Sequence, residues 1–387
     1  MSLKFLIVAP YPVLPAWHGG SVRVVALARS LAGLGHEVTV LTPWKDRRGS
    51  PPPSREPFTV RRMPYPFPAP RFFADRPFPF FHLMSFHPGL RLVATHLFAG
   101  YDVVQFEHVS FARLRGCVPE AAIVGYDAHN VEYDYIRQEC HGRRIEAIVG
   151  RRIHRLERDL VTGSERVFAV SADDRDRLAS LYGVRPESCV VAPNGIYDAR
   201  PPARDDTATT ARFPGIGRFR SRAVFSGGNA AHNRRAVMFL LEQVAPAVRD
   251  VGFVIHGSCA TRFERSCSLP NVFFDADPDC RTFADYAGPG MIGLNPVETG
   301  GGTNLKLLHY LSHGLPVLSS PFGIRGYDEL AGFVRVAARH EFAAALAGGD
   351  FPPPPPPAFL RDRYSWSMIA ARMCGAYAER IRERTHG

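Results

Sequence analysis

The chain has 387 residues and a mass of 42.8 kDa, which is more than one hydrophobic core usually organises, so we expect two domains. Hydrophobic residues make up 45% of the sequence and charged residues 22%, and this composition excludes a disordered protein. The seven cysteines are odd in number and form no CxxC pair, which argues against a disulfide framework or a zinc site. We therefore expect the protein to reside in a reducing cytoplasm. No apolar run approaches the roughly 18 residues that cross a bilayer.

The net charge of +10 restricts the classes of partner. A basic chain favours nucleic acid, an anionic membrane surface or a phosphorylated small molecule. Nucleic acid is the weakest of these, because the sequence has no helix-turn-helix spacing, zinc-finger pattern or aromatic RNA-binding motif, and we expect no such partner. A peripheral membrane contact and a phosphorylated ligand stay open.

Short β-branched apolar segments alternate with helical patterns along the chain, which predicts parallel sheets wrapped by helices. The first series of strands is expected at 4–10, 37–43, 102–108, 121–129, 166–171 and 189–193. The second is expected at 223–228, 252–258, 271–275, 291–296 and 315–320. We therefore predict an α/β protein with an N-terminal domain at 1–198, a linker at 199–222, a C-terminal domain at 223–350, and a proline spacer with a last helix at 351–387.

Two helices are predicted from local patterns. After the first strand, apolar residues at 24, 27, 28 and 31 follow helical spacing, and glycines at 33 and 35 end the helix. In the second half, Asn233 is expected to cap a helix that Pro246 kinks or ends.

Two glycine-rich turns are candidate anion sites. His18, Gly19 and Gly20 follow the first strand and open a helix, where amides can bind a phosphate; an empty flexible loop is the other interpretation. The spacing is not GxGxxG, which argues against a nicotinamide dehydrogenase.

The second turn is the stronger signal. A strand runs into Gly300, Gly301 and Gly302 and then a helix whose polar stripe comprises Lys306, His309, Tyr310 and His313. Leucines at 307, 308 and 311 are expected to face the sheet. Because the helix dipole and Lys306 point to the same place, the pattern favours a diphosphate ligand over a merely solvated helix face.

Four motifs together resemble one family. They are His18-Gly19-Gly20 with 35–40, the segment Asp127-Ala128-His129-Asn130-Val131-Glu132, the segment Ala192-Pro193-Asn194-Gly195, and the block from Gly302-Thr303-Asn304-Leu305-Lys306 to Gly314-Leu315-Pro316-Val317. They are similar to those of the retaining GT-B glycosyltransferases of family 4, the group 1 glycosyltransferases. The resemblance implies two facing Rossmann-like domains with a cleft between them, an acceptor site on the N-terminal domain, a nucleotide-sugar site on the C-terminal domain, and a last helix that returns to the first domain.

The glycine-rich turns and the resemblance together indicate roles for single residues, with Glu298 and Arg234 standing near, and not at, the positions that the family uses. The catalytic candidates are His129 and Lys306. The donor-binding candidates are Gly19, Gly20, Gly228, Arg234, Glu298, Gly300, Gly301, Gly302, Thr303, Asn304 and His309, and the acceptor-binding candidates are His18, His108 and Asn130. The family's usual pair of glutamates falls on Gly301 and His309, so His309 is expected to bind the ribose in place of an acid.

The expected activity is retaining transfer of a sugar from a nucleoside diphosphate to a hydroxyl acceptor in the cytoplasm, without a metal or another cofactor. The acceptor is left open between a glycan, a lipid-linked compound and a small molecule. A GT-B nucleotide-sugar epimerase and a non-catalytic relative are the alternatives, the latter because both glutamates are replaced.

The segment 61–91 combines seven phenylalanines, five arginines and repeated prolines. Its rings are interpreted either as a satellite core or as a surface for an anionic membrane or a lipid-linked acceptor.

Overall fold

The computed structural model describes residues 2–16, 18–42, 55–63, 88–142, 146–197, 207–276, 288 and 290–386. The chain divides into two compact units. The first unit comprises Met1–Asn194 and Trp366–Gly387, and the second comprises Gly195–Ser365.

The first unit is built on a parallel sheet that has seven strands among the described residues, in the order β3-β2-β1-β4-β5-β6-β7. The strands are β1 Lys4–Val8, β2 Glu37–Thr42, β3 Thr59–Arg62, β4 Val103–Phe106, β5 Ile123–Ala128, β6 Arg166–Ala169 and β7 Cys189–Val191. The first helices are α1 Gly19–Gly33, α2 Pro88–Phe98, α3 Glu132–Cys140, α4 Glu146–Gly163 and α5 Ala172–Tyr182. Residues 5–8 of β1 are all buried, as expected for a parallel strand with helices on both faces.

The second unit has a parallel sheet with six strands among its described residues, in the order β10-β9-β8-β11-β12-β13. They are β8 Ser221–Ser226, β9 Val251–His256, β10 Val272–Asp275, β11 Met291–Asn295, β12 Val317–Ser319 and β13 Arg335–Val336. The helices here are α6 Thr207–Arg212, α7 Ala231–Phe239, α8 Leu305–Ser312, α9 Phe342–Gly348 and α10 Pro357–Tyr364. The α/β prediction with two Rossmann-like domains is confirmed.

The last helix, α11 Trp366–His386, belongs to the first unit, where Tyr377 is fully buried and its ring packs edge-on against Phe5 and Phe168. Within the sheet, Gly125 makes room for the Tyr377 hydroxyl, which a Cβ at that position would meet. The C-terminal helix is thus part of the first unit's core.

Some elements differ from the sequence predictions. The part of the expected linker that the structure describes includes α6, and Phe213 and Ile216 of that part are buried in the second unit's core. The sequence pattern did not reveal this, because a six-residue helix and a 3-10 turn are too short to show apolar periodicity. The strands β3 and β13 were not predicted, since each is a short and largely exposed edge strand. The helix α7 begins at Ala231 with Ala230 as its N-cap, so Asn233 lies inside the first turn rather than capping it. A π-helical turn, Leu240–Val244, follows α7 and ends before Pro246.

None of the helices among the described residues has the length and hydrophobicity needed to span a bilayer. Every phenylalanine of the segment 61–91 lies outside the described residues. Both interpretations of that segment therefore stay predictions.

Candidate functional site

Two neighbouring strand ends of the first unit carry a buried carboxylate and a histidine. Glu107 follows β4 and His129 follows β5, and Nε2 of His129 lies 2.8 Å from Oε2 of Glu107. Glu107 is fully buried, while the His129 side chain is 12% exposed. Burial, followed by the charge of Asp127, raises the pKa of Glu107, and the bond to His129 opposes that rise. Strand ends of this kind are where α/β sheets bind ligands.

Asp127, the penultimate residue of β5, is held by Arg23 of α1. The Arg23 guanidinium donates from Nε to Oδ2 and from Nη2 to Oδ1, each at 2.8 Å. Two of its remaining hydrogens reach the carbonyls of Ala192 and Pro193, both at 2.9 Å, so one buried arginine fixes the end of β5 and the chain leaving β7. Burial of this charge is compensated by ionic and hydrogen-bonded partners.

The glycine turn before α1 lies against His129 through Tyr11. The Tyr11 hydroxyl is 3.5 Å from Nδ1 of His129 and touches the position that a Cβ on Gly20 would occupy. His18 caps α1, accepting at Nδ1 from the Ser21 amide at 3.2 Å, and its ring meets Tyr11 edge-on. Gly19 is the first residue of α1. The structure therefore brings together His18, Gly20 and His129.

His108 and Asn130 meet at Glu132, the first residue of α3. Nε2 of His108 is 3.3 Å from one Glu132 oxygen, and Nδ2 of Asn130 donates to the other at 2.8 Å. His108 also accepts at Nδ1 from the Ser110 amide, which makes it the cap of a short 3-10 helix. These two acceptor candidates are thus positioned by structural hydrogen bonds.

In the second unit, the turn at 300–302 leads into α8. Gly300 and Gly302 have φ values of 136° and 58°, which residues other than glycine rarely adopt. Lys306, in the first turn of α8, donates from Nζ to Oδ1 of Asn233 at 2.8 Å, and Nδ2 of Asn233 donates to the Gly228 carbonyl at 3.0 Å. Asn233 therefore joins the first turns of α7 and α8.

Two arginines and a neutral histidine also border this turn. Arg235 donates to the Thr299 hydroxyl at 2.7 Å, and Arg325 donates to the Gly302 carbonyl. His232 approaches Gly300, and its Nδ1 is buried without a hydrogen-bond partner among the described residues. The pKa of His232 is lowered to about 3, first by burial and then by the positive charges of Lys306, Arg235 and Arg234, in that order. A positive potential therefore converges on the glycine-rich turn.

The other donor candidates of the second unit already have protein partners. Arg234 donates to the Asn229 carbonyl at 2.7 Å, and Glu298 forms an exposed ion pair with Arg339 at 2.7 Å. The Thr303 hydroxyl accepts from Tyr327 at 3.0 Å. Asn304 is the N-cap of α8, but its side chain donates to the Gly323 carbonyl instead of capping the helix. Gly301 lies between the two glycines that have positive φ values.

The expected polar stripe of α8 is only partly polar. Tyr310 is fully buried in the core, where its hydroxyl accepts from the Ser226 amide at 2.7 Å, because Gly293 opposite leaves space for the ring. His309 is partly buried, and its ring centroid lies 4.6 Å from that of His313. The pKa of His309 is lowered to about 3, first by burial and then by the neighbouring His313 and His256. This imidazole is therefore neutral at physiological pH.

Glu107, Asp127 and His129 each offer one ligand atom within 4.8 Å of the others, which is close enough for a metal ion. Both Asp127 oxygens accept from Arg23, and the Glu107 oxygens accept from Gln105 and His129. A divalent cation would have to displace these donors, so the cluster favours proton and hydrogen-bond chemistry.

Sequence reasoning missed Tyr11, Arg23, Asn233, His232 and Arg325. Their partners are distant in the chain, and only the sheet order brings them together. Glu107 lies within the expected strand 102–108, and its place at the end of an apolar run is the signal that points to it.

One family model matches part of the chain. Residues 17–200 match the family model described as Glycosyltransferase Family 4. This match covers less than half of the chain and lies almost entirely in the first unit. No curated protein matches the sequence at a significant level.

Solved structures match along nearly the whole chain. Sucrose-phosphate synthase from Thermosynechococcus elongatus has a TM-score of 0.72 at 14% identity, covering 98% of this chain and 100% of that one. HepE from Anabaena, in complex with UDP and glucose, has a TM-score of 0.68 at 13% identity, with 97% and 99% covered. WaaG, a glycosyltransferase involved in lipopolysaccharide biosynthesis, has a TM-score of 0.62 at 16% identity, with 99% and 100% covered. The two Rossmann-like units thus have the architecture of GT-B glycosyltransferases.

Proposed function

We propose that this protein is a glycosyltransferase that moves a sugar from a nucleoside-diphosphate sugar to a hydroxyl acceptor with retention of anomeric configuration. The observation that carries the proposal is the cationic group around the glycine-rich turn of the second unit. There, Lys306 and Asn233 link the first turns of α7 and α8. The proposal assigns the donor to the second unit and the acceptor to the first.

The donor assignment follows from charge. A diphosphate is a concentrated anion, and helix amides, a lysine and arginines oppose its charge. Lys306 is held by Asn233 and lies 4.8 Å from the centre of the Phe225 ring, so its ammonium is already oriented. Groups that are oriented in advance stabilise a leaving group at little reorganisation cost, a contribution of several kcal/mol in many enzymes.

His309 is suited to contact the ribose. It is a neutral imidazole, so it can donate and accept hydrogen bonds with hydroxyl groups without placing a charge beside them. Its loss should weaken nucleotide binding by about one hydrogen bond, on the order of 1 kcal/mol.

The acceptor assignment rests on the strand ends of the first unit. His129 is partly exposed beside the buried Glu107, and His108 and Asn130 lie next along the same edge. Imidazole and amide groups are the kind that bind sugar hydroxyls.

In the proposed reaction, the bond between the anomeric carbon and the diphosphate oxygen breaks, and a bond to the acceptor oxygen forms. In the retaining route, the proton of the acceptor hydroxyl passes to the departing diphosphate, so no protein nucleophile is needed. The stereochemistry rests on the family resemblance, and the anomeric coupling constant of the product tests it.

The structural neighbours support the donor class. HepE is described in complex with UDP and glucose and also with UDP-glucose, and WaaG is described as a glycosyltransferase. These matches support nucleotide-sugar chemistry here without fixing the base, the sugar or the acceptor.

A donor screen tests the proposal. The protein is incubated with UDP-, GDP- and ADP-sugars, and release of the nucleoside diphosphate is measured for the wild type and Lys306→Ala. We expect release from one donor class and its loss in Lys306→Ala. The matched control is Lys4→Ala, which removes an exposed lysine paired with Glu37 in the first unit and should keep full turnover.

The same screen separates the alternatives. A change in the donor sugar without release of nucleotide would establish an epimerase. Thermal stabilisation by a nucleotide without any turnover would establish a binding protein.

A further inference from the structure

The hydrogen bonds of Glu107 extend well beyond His129. Its Oε1 accepts from Nε2 of Gln105, and Oε1 of Gln105 accepts from the Tyr377 hydroxyl at 2.8 Å. On the other side, Oε2 faces Nε2 of His129 at 2.8 Å. A directed line of hydrogen bonds therefore runs from the C-terminal helix to the strand-end histidine.

From this line we infer that Glu107 is a positioning residue for His129: it holds the imidazole proton on Nε2 and leaves the lone pair of Nδ1 for a hydroxyl of the bound sugar. The inference rests on the proposed function for the identity of the ligand. The tautomer itself rests on the hydrogen-bond geometry and on the ionised form of Glu107, whatever the ligand.

The polarity of the line fixes the position of the proton. Tyr377 is fully buried, and burial raises its pKa strongly, so its hydroxyl remains a donor. This donor takes the oxygen end of the Gln105 amide and turns the NH₂ end toward Glu107. The hydrogen bonds from Gln105 and His129 favour the ionised form of Glu107 against the effect of burial. An ionised carboxylate only accepts hydrogen bonds, so Nε2 of His129 is the donor in this arrangement.

Nδ1 is left with a weak protein contact. Its neighbour is the Tyr11 hydroxyl at 3.5 Å, the outer limit for a hydrogen bond, and burial, followed by Glu107, raises the pKa of Tyr11 so that it stays protonated. A sugar hydroxyl approaching to normal distance would make a better donor. Since the His129 side chain is 12% exposed, such a ligand can reach it.

Asp127 does not compete for this proton. Its Oδ2 lies 3.8 Å from Nε2 of His129, but both its oxygens accept from Arg23. The second carboxylate therefore adds negative charge on the Nε2 side without taking the hydrogen bond. Glu107 alone sets the tautomer.

The substitution Glu107→Gln gives a sharp test, because the amide is forced into one orientation. Gln105 still donates toward position 107, so the new carbonyl oxygen faces Gln105 and the new NH₂ faces His129. That NH₂ would donate to Nε2, and the imidazole proton would move to Nδ1. The variant should therefore carry the imidazole proton of His129 on Nδ1 instead of Nε2.

The measurement is a two-bond proton–nitrogen correlation spectrum of the full-length protein labelled with ¹⁵N-histidine, with His129→Asn used to assign the signal. We expect a pyrrole-type Nε2 and a pyridine-type Nδ1 for His129 in the wild type, and the opposite pattern in Glu107→Gln. The matched control is Glu157→Gln, which neutralises another buried carboxylate of the first unit that bonds to Tyr182 and Tyr126 and should leave the pattern unchanged.

The kinetic readout uses the donor found in the screen. Glu107→Gln should lower kcat by about tenfold or more, the loss of one hydrogen bond in the reacting complex, with the donor KM changed by less than about twofold. Glu107→Asp, which keeps the accepting charge, should restore part of kcat and the wild-type tautomer.

A wild-type His129 that carries its proton on Nδ1 would overturn the inference, and so would a Glu107→Gln spectrum identical to that of the wild type. If Glu107→Gln does not fold, the wild-type spectrum still decides. Failure of every nucleotide sugar to react would instead count against the proposed function, while the tautomer would stand or fall separately.

Discussion

Arg23 and Asp127 form a two-bond ion pair inside the first unit, with both side chains at most 1% exposed. The same guanidinium holds the carbonyls of Ala192 and Pro193, so one residue of α1 orders both the end of β5 and the segment after β7. The pair thus supports the strand end that carries His129.

Replacing Arg23 by leucine should be strongly destabilising. It leaves the Asp127 carboxylate buried without its cation, and breaking a buried pair in this way costs about 3–5 kcal/mol. Urea unfolding followed by circular dichroism measures the change. The double variant Arg23→Leu with Asp127→Asn should lose less than the sum of the single losses, and an additive result would show that the two groups do not interact.

Gly20→Ala should disturb the site through Tyr11. A Cβ at residue 20 would lie 2.9 Å from Cζ of Tyr11 and 3.2 Å from Cε1 of His18, so the phenol must shift from its position beside His129. Overpacking of this kind typically costs 1–3 kcal/mol. Thermal unfolding should show the loss, and Tyr11→Phe in the same chain should recover part of it because it removes the clashing oxygen. Equal losses with and without the hydroxyl would contradict this explanation.

His309 should make the protein sensitive to acid. Its pKa is about 3 in the folded protein and 6.5 for a free imidazole, so between these values the unfolded chain binds a proton that the folded chain does not. Stability should therefore fall as the pH drops below 6.5, by about 2 kcal/mol between pH 7 and pH 5 from this residue. Urea unfolding at the two pH values should show a smaller fall in His309→Gln. An identical fall in the variant would mean that His309 is readily protonated in the folded state.

The strands and the first helix could be predicted because they depend on local periodicity. Val24, Leu27, Ala28 and Leu31 all face the core of the first unit, as their spacing required. Strand ends are equally local features, so His108 and His129 could be placed at one edge of a parallel sheet from the sequence alone.

The remaining contacts of the site depend on which distant residues the fold brings together. Arg23 lies 104 residues from Asp127, and Lys306 lies 73 residues from Asn233. Helical spacing placed Tyr310 on a polar face, but the small Gly293 on the adjacent strand lets its ring enter the core. No pattern within a short window contains that information.

The most direct test of the account is an isothermal titration of UDP, GDP and ADP into the wild type, Lys306→Ala and Lys4→Ala. We expect one nucleoside diphosphate to bind the wild type and Lys4→Ala equally, and to bind Lys306→Ala about 10- to 100-fold more weakly, as loss of a charge-assisted hydrogen bond implies. Absence of binding by all three nucleotides to the wild type, or equal binding to Lys306→Ala, would contradict the assignment of the glycine-rich turn as the donor site.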